Sequence, residues 1–270
     1  MNFYISWSRS DPIYCEYFLD TNILISPNST NKNFTIKKWK HKPKKLILDS
    51  SAFFYMKNTN KIPKCEKIIE KQIEILDNNN IPTLLCHFDT PLKPQKNNLI
   101  NSYSAVESTL YNAYEYLILF EKKGFHKNKY VKPLGVIQGN DKLSIQYCAK
   151  ELKKMGYEYF GIGSLALLYD PKEILERIKS AIKVVGENKL HVFGISRLDI
   201  IDQIKNLKVL SIDSSRPMKA AIYKEIFYSN PFRTYGSYLV NKPKNYKKLL
   251  KNPLKCKCPA CQTDPQLIIK

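Results

Sequence analysis

The chain has 270 residues, with 44 Lys and Arg against 24 Asp and Glu and a formal net charge of +20. That length holds one large domain or two ordinary ones, and 43% hydrophobic residues with 12% aromatics argue against disorder. No run of about 18 apolar residues is present to span a membrane, and residues 1–10 lack the basic start and apolar stretch of a secretory signal, so the expectation is a soluble cytoplasmic protein. The excess of positive charge favours a polyanionic partner, nucleic acid first; the alternative is a surface coated generally with lysine.

Short apolar runs rich in β-branched and aromatic residues recur along the chain and predict strands. They are Phe3–Trp7, Ile23–Ser26, Leu46–Asp49, Thr83–Phe88, Leu134–Gln138, Tyr159–Ile162, Leu190–Gly194 and Val209–Asp213. The first connection, Ser8 to Asn22, has room for one or two turns. Asn28–Lys45 reads as a polar, basic surface excursion that carries Trp39 and His41.

Helical periodicity follows in the later connections. Cys65–Asp77 places Ile68, Ile69, Ile73, Ile75 and Leu76 at amphipathic spacing. Ser104–Lys123 stops at Gly124, and Leu143–Met155 stops at Gly156. Pro171–Val185 has Asp170 as N-cap, Pro171 at its first position and Gly186 after its end. Arg197–Asn206 is a short helix between the last two strands. Continuous apolar strands alternating with helices predict a parallel sheet, and eight of them suit a closed (β/α)8 TIM barrel of about 250 residues. An open doubly wound sheet is the alternative, but no glycine fingerprint follows the first strand. The expected division is a barrel over 1–227 and a basic, Cys-rich zinc-binding segment over 228–270 packed on it.

In a barrel the functional face lies where the strands end. Asp49 closes the third run, Asp89 follows the fourth, Gln138-Gly139 closes the fifth and Asp213 the eighth. An Asp after a strand is often only the N-cap of the next helix, worth about 1 kcal/mol. A Gln has no such advantage, and its carboxamide suits the edge of a planar heterocycle. Gly161 and Gly163 let backbone approach a flat ligand, or merely make a turn. Seven cysteines are present; Cys15, Cys65, Cys86 and Cys148 are scattered, whereas Cys256, Cys258 and Cys261 form a C-x-C-x2-C array. Three thiolates at that spacing suit one tetrahedral zinc ion, with no fourth ligand evident.

These residues carry a resemblance. Asp49-Ser50-Ser51-Ala52-Phe53, Phe88-Asp89-Thr90-Pro91, Gly135-Val136-Ile137-Gln138-Gly139 and Gly161-Ile162-Gly163-Ser164-Leu165 occur in that order. His191-Val192-Phe193-Gly194-Ile195, Asp213-Ser214 and the cysteine array follow. From about Leu46 to Cys261 the chain resembles the tRNA-guanine transglycosylase superfamily. The resemblance implies a zinc-containing barrel that exchanges a guanine in a nucleic acid for a free 7-deazaguanine base of the preQ0/preQ1 type, without ATP or a redox cofactor. It implies Asp213 as a nucleophile that forms a covalent glycosyl intermediate and Asp49 as general acid/base. It implies that Ser50, Asp89, Gln138, Gly139, Gly163, Ser164 and Leu165 hold the base, with the target nucleotide turned out of its stack.

The departures from the family pattern are specific. Ser51 and Ser164 stand where the family usually has Gly. The family's zinc-binding His lies some two dozen residues beyond the third Cys, but nine residues follow Cys261 and none is His. His41, His87, His126 and His191 are the remaining candidates, with His191 reading as structural. The superfamily has a branch that inserts 7-deazaguanines into DNA, and the compact length places DNA slightly ahead of tRNA. Lys37–Lys45 and Lys242–Lys255 suit phosphates, and Tyr235, Tyr238 and Tyr246 suit base stacking. The competing readings are a non-catalytic nucleic-acid-binding subunit on the same scaffold, and a sugar-processing barrel that leaves the charge and the cysteines unexplained. A homodimer or a partner subunit is compatible with all of these.

Overall fold

The computed structural model describes residues 1–56, 62–77, 80–92, 99–195, 197–223, 225–226 and 238–239. The chain divides into two compact units, residues 1–195 with 204–214, and residues 196–203 with 215–270.

The first unit is a closed barrel of eight parallel strands. They are β1 (Asn2–Trp7), β2 (Asn22–Ile25), β3 (Lys45–Leu48), β4 (Thr83–Cys86), β5 (Val131–Ile137), β6 (Tyr159–Ile162), β7 (Leu190–Val192) and β8 (Ser211–Ser214). Each pairs with its neighbour in sequence, and β1 closes on β8 with Asn2 opposite Ser211. All eight expected strands are present. The fourth ends at Cys86 rather than Phe88, because the Val136 N–H, a donor the β4–β5 ladder would otherwise use, bonds the His87 ring.

Side-chain alternation sorts the strands into two layers. Tyr4, Leu24, Ile47, Cys86, Leu134 and Val136 point inward and fill the barrel. Ile23, Ile25, Leu46, Leu48 and Leu85 point outward, against Ile69, Ile75 and Leu76 of α2 (Cys65–Leu76) and Tyr116 and Phe120 of α3 (Leu99–Lys122). Each fully buried Leu or Ile there stabilises the fold by roughly 1.5–3 kcal/mol. Extending the inward register by two residues places Ser6, Ser26, Asp49, Gln138 and Asp213 at the C-terminal end of the barrel.

A four-residue α1 (Ala52–Tyr55) precedes α2, and α4 (Lys142–Lys154) and α5 (Pro171–Val185) cover the later strands. Asp141 and Ser144 form a capping box on α4, and Asp170 caps α5 with Pro171 in its first turn. α6 (Ile201–Asn206) is shorter than the expected 197–206 segment, whose start is the 3-10 turn Leu198–Ile200. In the second unit, α7 (Arg216–Ile222) is followed by an antiparallel pair, Glu225–Ile226 with Tyr238–Leu239.

No α-helix follows β1 or β2. Their place is taken by aromatic packing, which corrects the reading of Asn28–Lys45 as a surface excursion. Trp39 is 4% exposed, and its ring lies edge-on to Trp7 at 5.0 Å. Phe34 stacks on Trp7 at the same distance, and Ile36 is fully buried beside them. Indole and phenyl rings bury 150–250 Å² each, so Phe34 and Trp39 together cover as much strand surface as an amphipathic helix turn or so.

Candidate active site

Three carboxylates stand at the C-terminal end of the barrel, each held by a donor from an adjacent strand or its loop. Asp49, after β3, accepts from the Ser26 hydroxyl after β2 at 2.5 Å and from its own Ser51 N–H. Asp213, on β8, accepts at Oδ2 from the Ser6 hydroxyl on β1 at 2.7 Å. Its Oδ1 accepts from the Gly194 N–H at 2.7 Å and lies 3.2 Å from His191 Nε2. Asp89, after β4, accepts from Gln138 Nε2, at the end of β5, at 2.5 Å, and more weakly from Ser50 Oγ at 3.4 Å. The helix-capping alternative therefore fails for Asp89 and Asp213, whose acceptors face neighbouring strands, and holds for Asp49 only in its local turn to Ser51.

Gln138 is 1% exposed and fully committed on one side. Its Oε1 accepts from Ser164 Oγ at 2.8 Å, and the same hydroxyl accepts from the Leu92 N–H at 2.9 Å. Gly163 makes room for this contact, since a Cβ there would lie 2.4 Å from Gln138 Nε2. Gly139 is held through its carbonyl by Arg177 at 3.2 Å, and Leu165 is buried at the start of a 3-10 turn. Gly163→Ala is expected to push the Gln138 amide off Asp89 with little change in folding. A crystal structure of the variant is expected to show the Gln138–Asp89 hydrogen bond lost, with a melting temperature within about 2 °C of the parent.

Ser51 and Ser164, the two departures from glycine, both adopt the left-handed conformation with φ 62°. That conformation costs a non-glycine residue roughly 1–2 kcal/mol. The Ser164 hydroxyl offsets it with two hydrogen bonds of about 1 kcal/mol each, and Ser51 Oγ accepts from the Asn28 N–H at 3.1 Å. Serine thus keeps the glycine-like turn and adds a tie to the neighbouring loop.

Burial sets the electrostatics. Withdrawal from water raises the pKa of Asp49, which the Ser26 and Ser51 hydrogen bonds partly offset and the nearby Asp213 charge increases. Asp89 is pushed up to about 6, first by burial; the Gln138 hydrogen bond opposes this and the Asp49 charge adds to it. Three carboxylates that feel one another in this way occupy one site, and at least one is poised to carry a proton near neutrality.

Supporting residues that sequence reasoning passed over lie just beneath. Gln72 sits in the apolar stripe of α2, where its Nε2 meets the carbonyls of Leu48, Asp49 and Cys86 at 2.9–3.1 Å and its Oε1 accepts from Tyr116 at 2.6 Å. It ties together the ends of β3 and β4. Gln72→Leu leaves those groups unpaired in the core, so a loss of about 2–4 kcal/mol is expected in urea unfolding. His87, fully buried, bonds Phe88 O through Nδ1 and the Val136 N–H through Nε2, joining β4 to β5. Ser6 and Ser26 each follow an inward apolar position by two residues, but nothing in the sequence sets their hydroxyls apart as partners of Asp213 and Asp49.

Among the described residues no group of three or more His, Cys, Asp or Glu side chains is placed to hold a metal ion. Cys256, Cys258 and Cys261 lie outside the described residues, as do Lys242–Lys255, Tyr235 and Tyr246. No described helix is long and apolar enough to cross a membrane.

No family model matches the chain. Over 115 residues it is 31% identical to a protein named DNA-guanine transglycosylase from Salmonella montevideo. The chain is similar to a DNA-guanine transglycosylase. The match covers 42% of this chain and 26% of that protein, so the chain spans about a quarter of the length of the curated relative it matches.

Proposed function

We propose that this chain is a nucleic-acid guanine transglycosylase, a pentosyltransferase that exchanges a guanine in a polymer for a free 7-deazaguanine. The observation that carries the reading is the convergence of Asp49, Asp89 and Asp213 with Gln138 at the C-terminal end of a parallel barrel. The likeness to a protein named for the same reaction on DNA supports it and favours DNA over tRNA as the polymer.

In this reading Asp213 attacks the anomeric carbon of the target nucleotide. The lone pair of its carboxylate forms the new C–O bond, and the C1′–N9 pair leaves with guanine. A raised pKa fits Asp49 to give the departing base its proton. The incoming 7-deazaguanine returns that proton to Asp49, its nitrogen bonds C1′, and Asp213 is released as carboxylate. Asp89 accepts from the base's N–H groups, while the free N–H of Gln138 meets its carbonyl. Ser50, Gly139, Gly163, Ser164 and Leu165 shape this edge.

We also propose zinc at Cys256, Cys258 and Cys261. The donor set fits, because three closely spaced thiols favour zinc, which supplies a structural crosslink there. His87 and His191 engage both ring nitrogens within the barrel, which removes them as candidates for a fourth position. Cys258→Ser is expected to lower bound zinc from one equivalent to near zero by elemental analysis; unchanged zinc removes the site.

The deciding experiment is incorporation of labelled guanine into duplex DNA and, separately, into tRNA, by the purified chain without ATP. Label in DNA alone is expected. Label in tRNA alone reassigns the polymer, and binding without label in either supports a non-catalytic subunit on the same scaffold.

A further inference from the structure

His191 is a buried titratable group that the reaction above leaves unused. It is 0% exposed, on the inward face of β7, with its ring edge-on to Phe193 at 4.5 Å and to Tyr4 at 5.8 Å. Its two nitrogens reach β8 side by side: Nδ1 lies 2.8 Å from Ser211 Oγ, and Nε2 lies 3.2 Å from Asp213 Oδ1. Ser211 and Asp213 are two residues apart on one strand, so both point inward and meet one imidazole.

The carboxylate has only lone pairs to offer, so the nitrogen facing it must carry hydrogen. A bare Nε2 would set lone pair against lone pair at 3.2 Å. The Ser211 hydroxyl, free to rotate, completes the arrangement by donating to Nδ1. Asp213 Oδ1 then receives two donors, His191 and the Gly194 N–H, and has no lone pair left. Oδ2 receives one donor, the Ser6 hydroxyl, and keeps one.

We propose that His191, set by Ser211, is the positioning residue of Asp213: it anchors Oδ1 and leaves Oδ2 as the oxygen that bonds to the sugar. The proposal rests on the transglycosylase reading. As the Oδ2 lone pair forms the bond to C1′, the C1′–N9 pair departs with the base and takes its proton from Asp49. Oδ1 becomes the carbonyl oxygen of the glycosyl ester and still accepts from His191 and Gly194. When the incoming base displaces the ester, the C1′–Oδ2 pair returns to a carboxylate that these donors already stabilise, so they assist its departure. Ser6 need only rotate away.

The test has two independent readouts. Long-range 1H–15N correlation on labelled protein is expected to show hydrogen on Nε2 of His191; a ring protonated on Nδ1 alone overturns the proposal whether or not the protein is active. In exchange assays, His191→Phe preserves an aromatic ring between Tyr4 and Phe193 and removes the donor. It is expected to lower kcat about 100-fold with the KM for free base within twofold. His191→Gln, which can place an amide N–H near the Nε2 position, is expected to recover at least tenfold of that. Ser211→Ala is expected to lower kcat by about tenfold and serves if His191→Phe fails to fold. A His191→Phe enzyme within threefold of the parent, or His191→Gln no better than His191→Phe, reduces His191 to packing. A parent without exchange activity sinks the transglycosylase reading instead, while the tautomer measurement still judges the contact with Asp213.

Discussion

Asp213→Asn is expected to lower base exchange by about 10⁴-fold, the scale seen when a nucleophilic enzyme loses its reacting group. The carboxamide oxygen is neutral and a poor nucleophile, so the proposed glycosyl ester does not form. The fold has little reason to change. With its oxygen turned toward His191 and the Gly194 N–H, the amide presents its nitrogen to Ser6 Oγ, which can accept as well as donate. Melting temperature and DNA affinity are therefore expected to stay close to those of the parent. Single-turnover exchange with labelled guanine, run beside a binding isotherm, reads the two apart. Turnover retained within tenfold removes Asp213 from the nucleophile's place, and a parallel loss of binding would mean that the substitution acted on the fold.

How far the sequence led can be judged residue by residue. The barrel was legible because strands covered on both faces must be continuously apolar, and runs such as Leu46–Leu48 and Leu134–Ile137 leave little else to be. The carboxylates and Gln138 were legible because a charge or amide ending such a run stands at the barrel's C-terminal face. The donors that hold them were not. Ser6 on β1 and Ser26 just after β2 carry hydroxyls with no periodic mark, and their partners, Asp213 and Asp49, lie 207 and 23 residues away in the chain. Gln72 was hidden for the opposite reason. It occupies an amphipathic stripe whose isoleucines dominate the pattern, and only the unpaired strand-end carbonyls explain its presence.

Trp39 misled because local composition and burial point in opposite directions there. Lysines at 37, 38, 40 and 42 read as solvent-facing, and they flank an indole that replaces a missing barrel helix. The connections after β1 and β2 carry no α-helix to cover the outer face of those strands, so some apolar group had to return to it. The choice of Trp39 over neighbouring residues comes from three-dimensional packing.

Asp89→Asn is expected to make the protein more stable at pH 7 and less able to hold a base. Folding raises the Asp89 pKa from 3.8 to about 6, so the native state binds this proton more tightly than the unfolded chain. A carboxyl shifted upward destabilises the fold progressively as pH rises from about 4 to 6, by up to about 3 kcal/mol above that window. His87 runs the other way. Its pKa falls from 6.5 to about 4 in the fold, first because burial disfavours the charged ring, so its neutral form supports stability above pH 6.5. That support is lost as pH drops toward 4, by a similar amount. In the parent the two slopes oppose each other across nearly the same interval and leave a shallow profile. Asn at position 89 removes one of them. The variant is expected to melt roughly 5 °C higher at pH 7 and to lose stability more steeply than the parent between pH 6.5 and 4, where Asp89 no longer opposes the His87 slope. In the transglycosylase reading the free-base affinity is expected to fall at least tenfold, since a neutral amide replaces the proposed acceptor for the base's N–H groups. Thermal melts at four pH values with calorimetry on free guanine test this directly. A variant no more stable than the parent at pH 7, with an acid limb no steeper, would show that the Asp89 carboxylate is not held against its own charge, and that the site carries no stored cost of this kind.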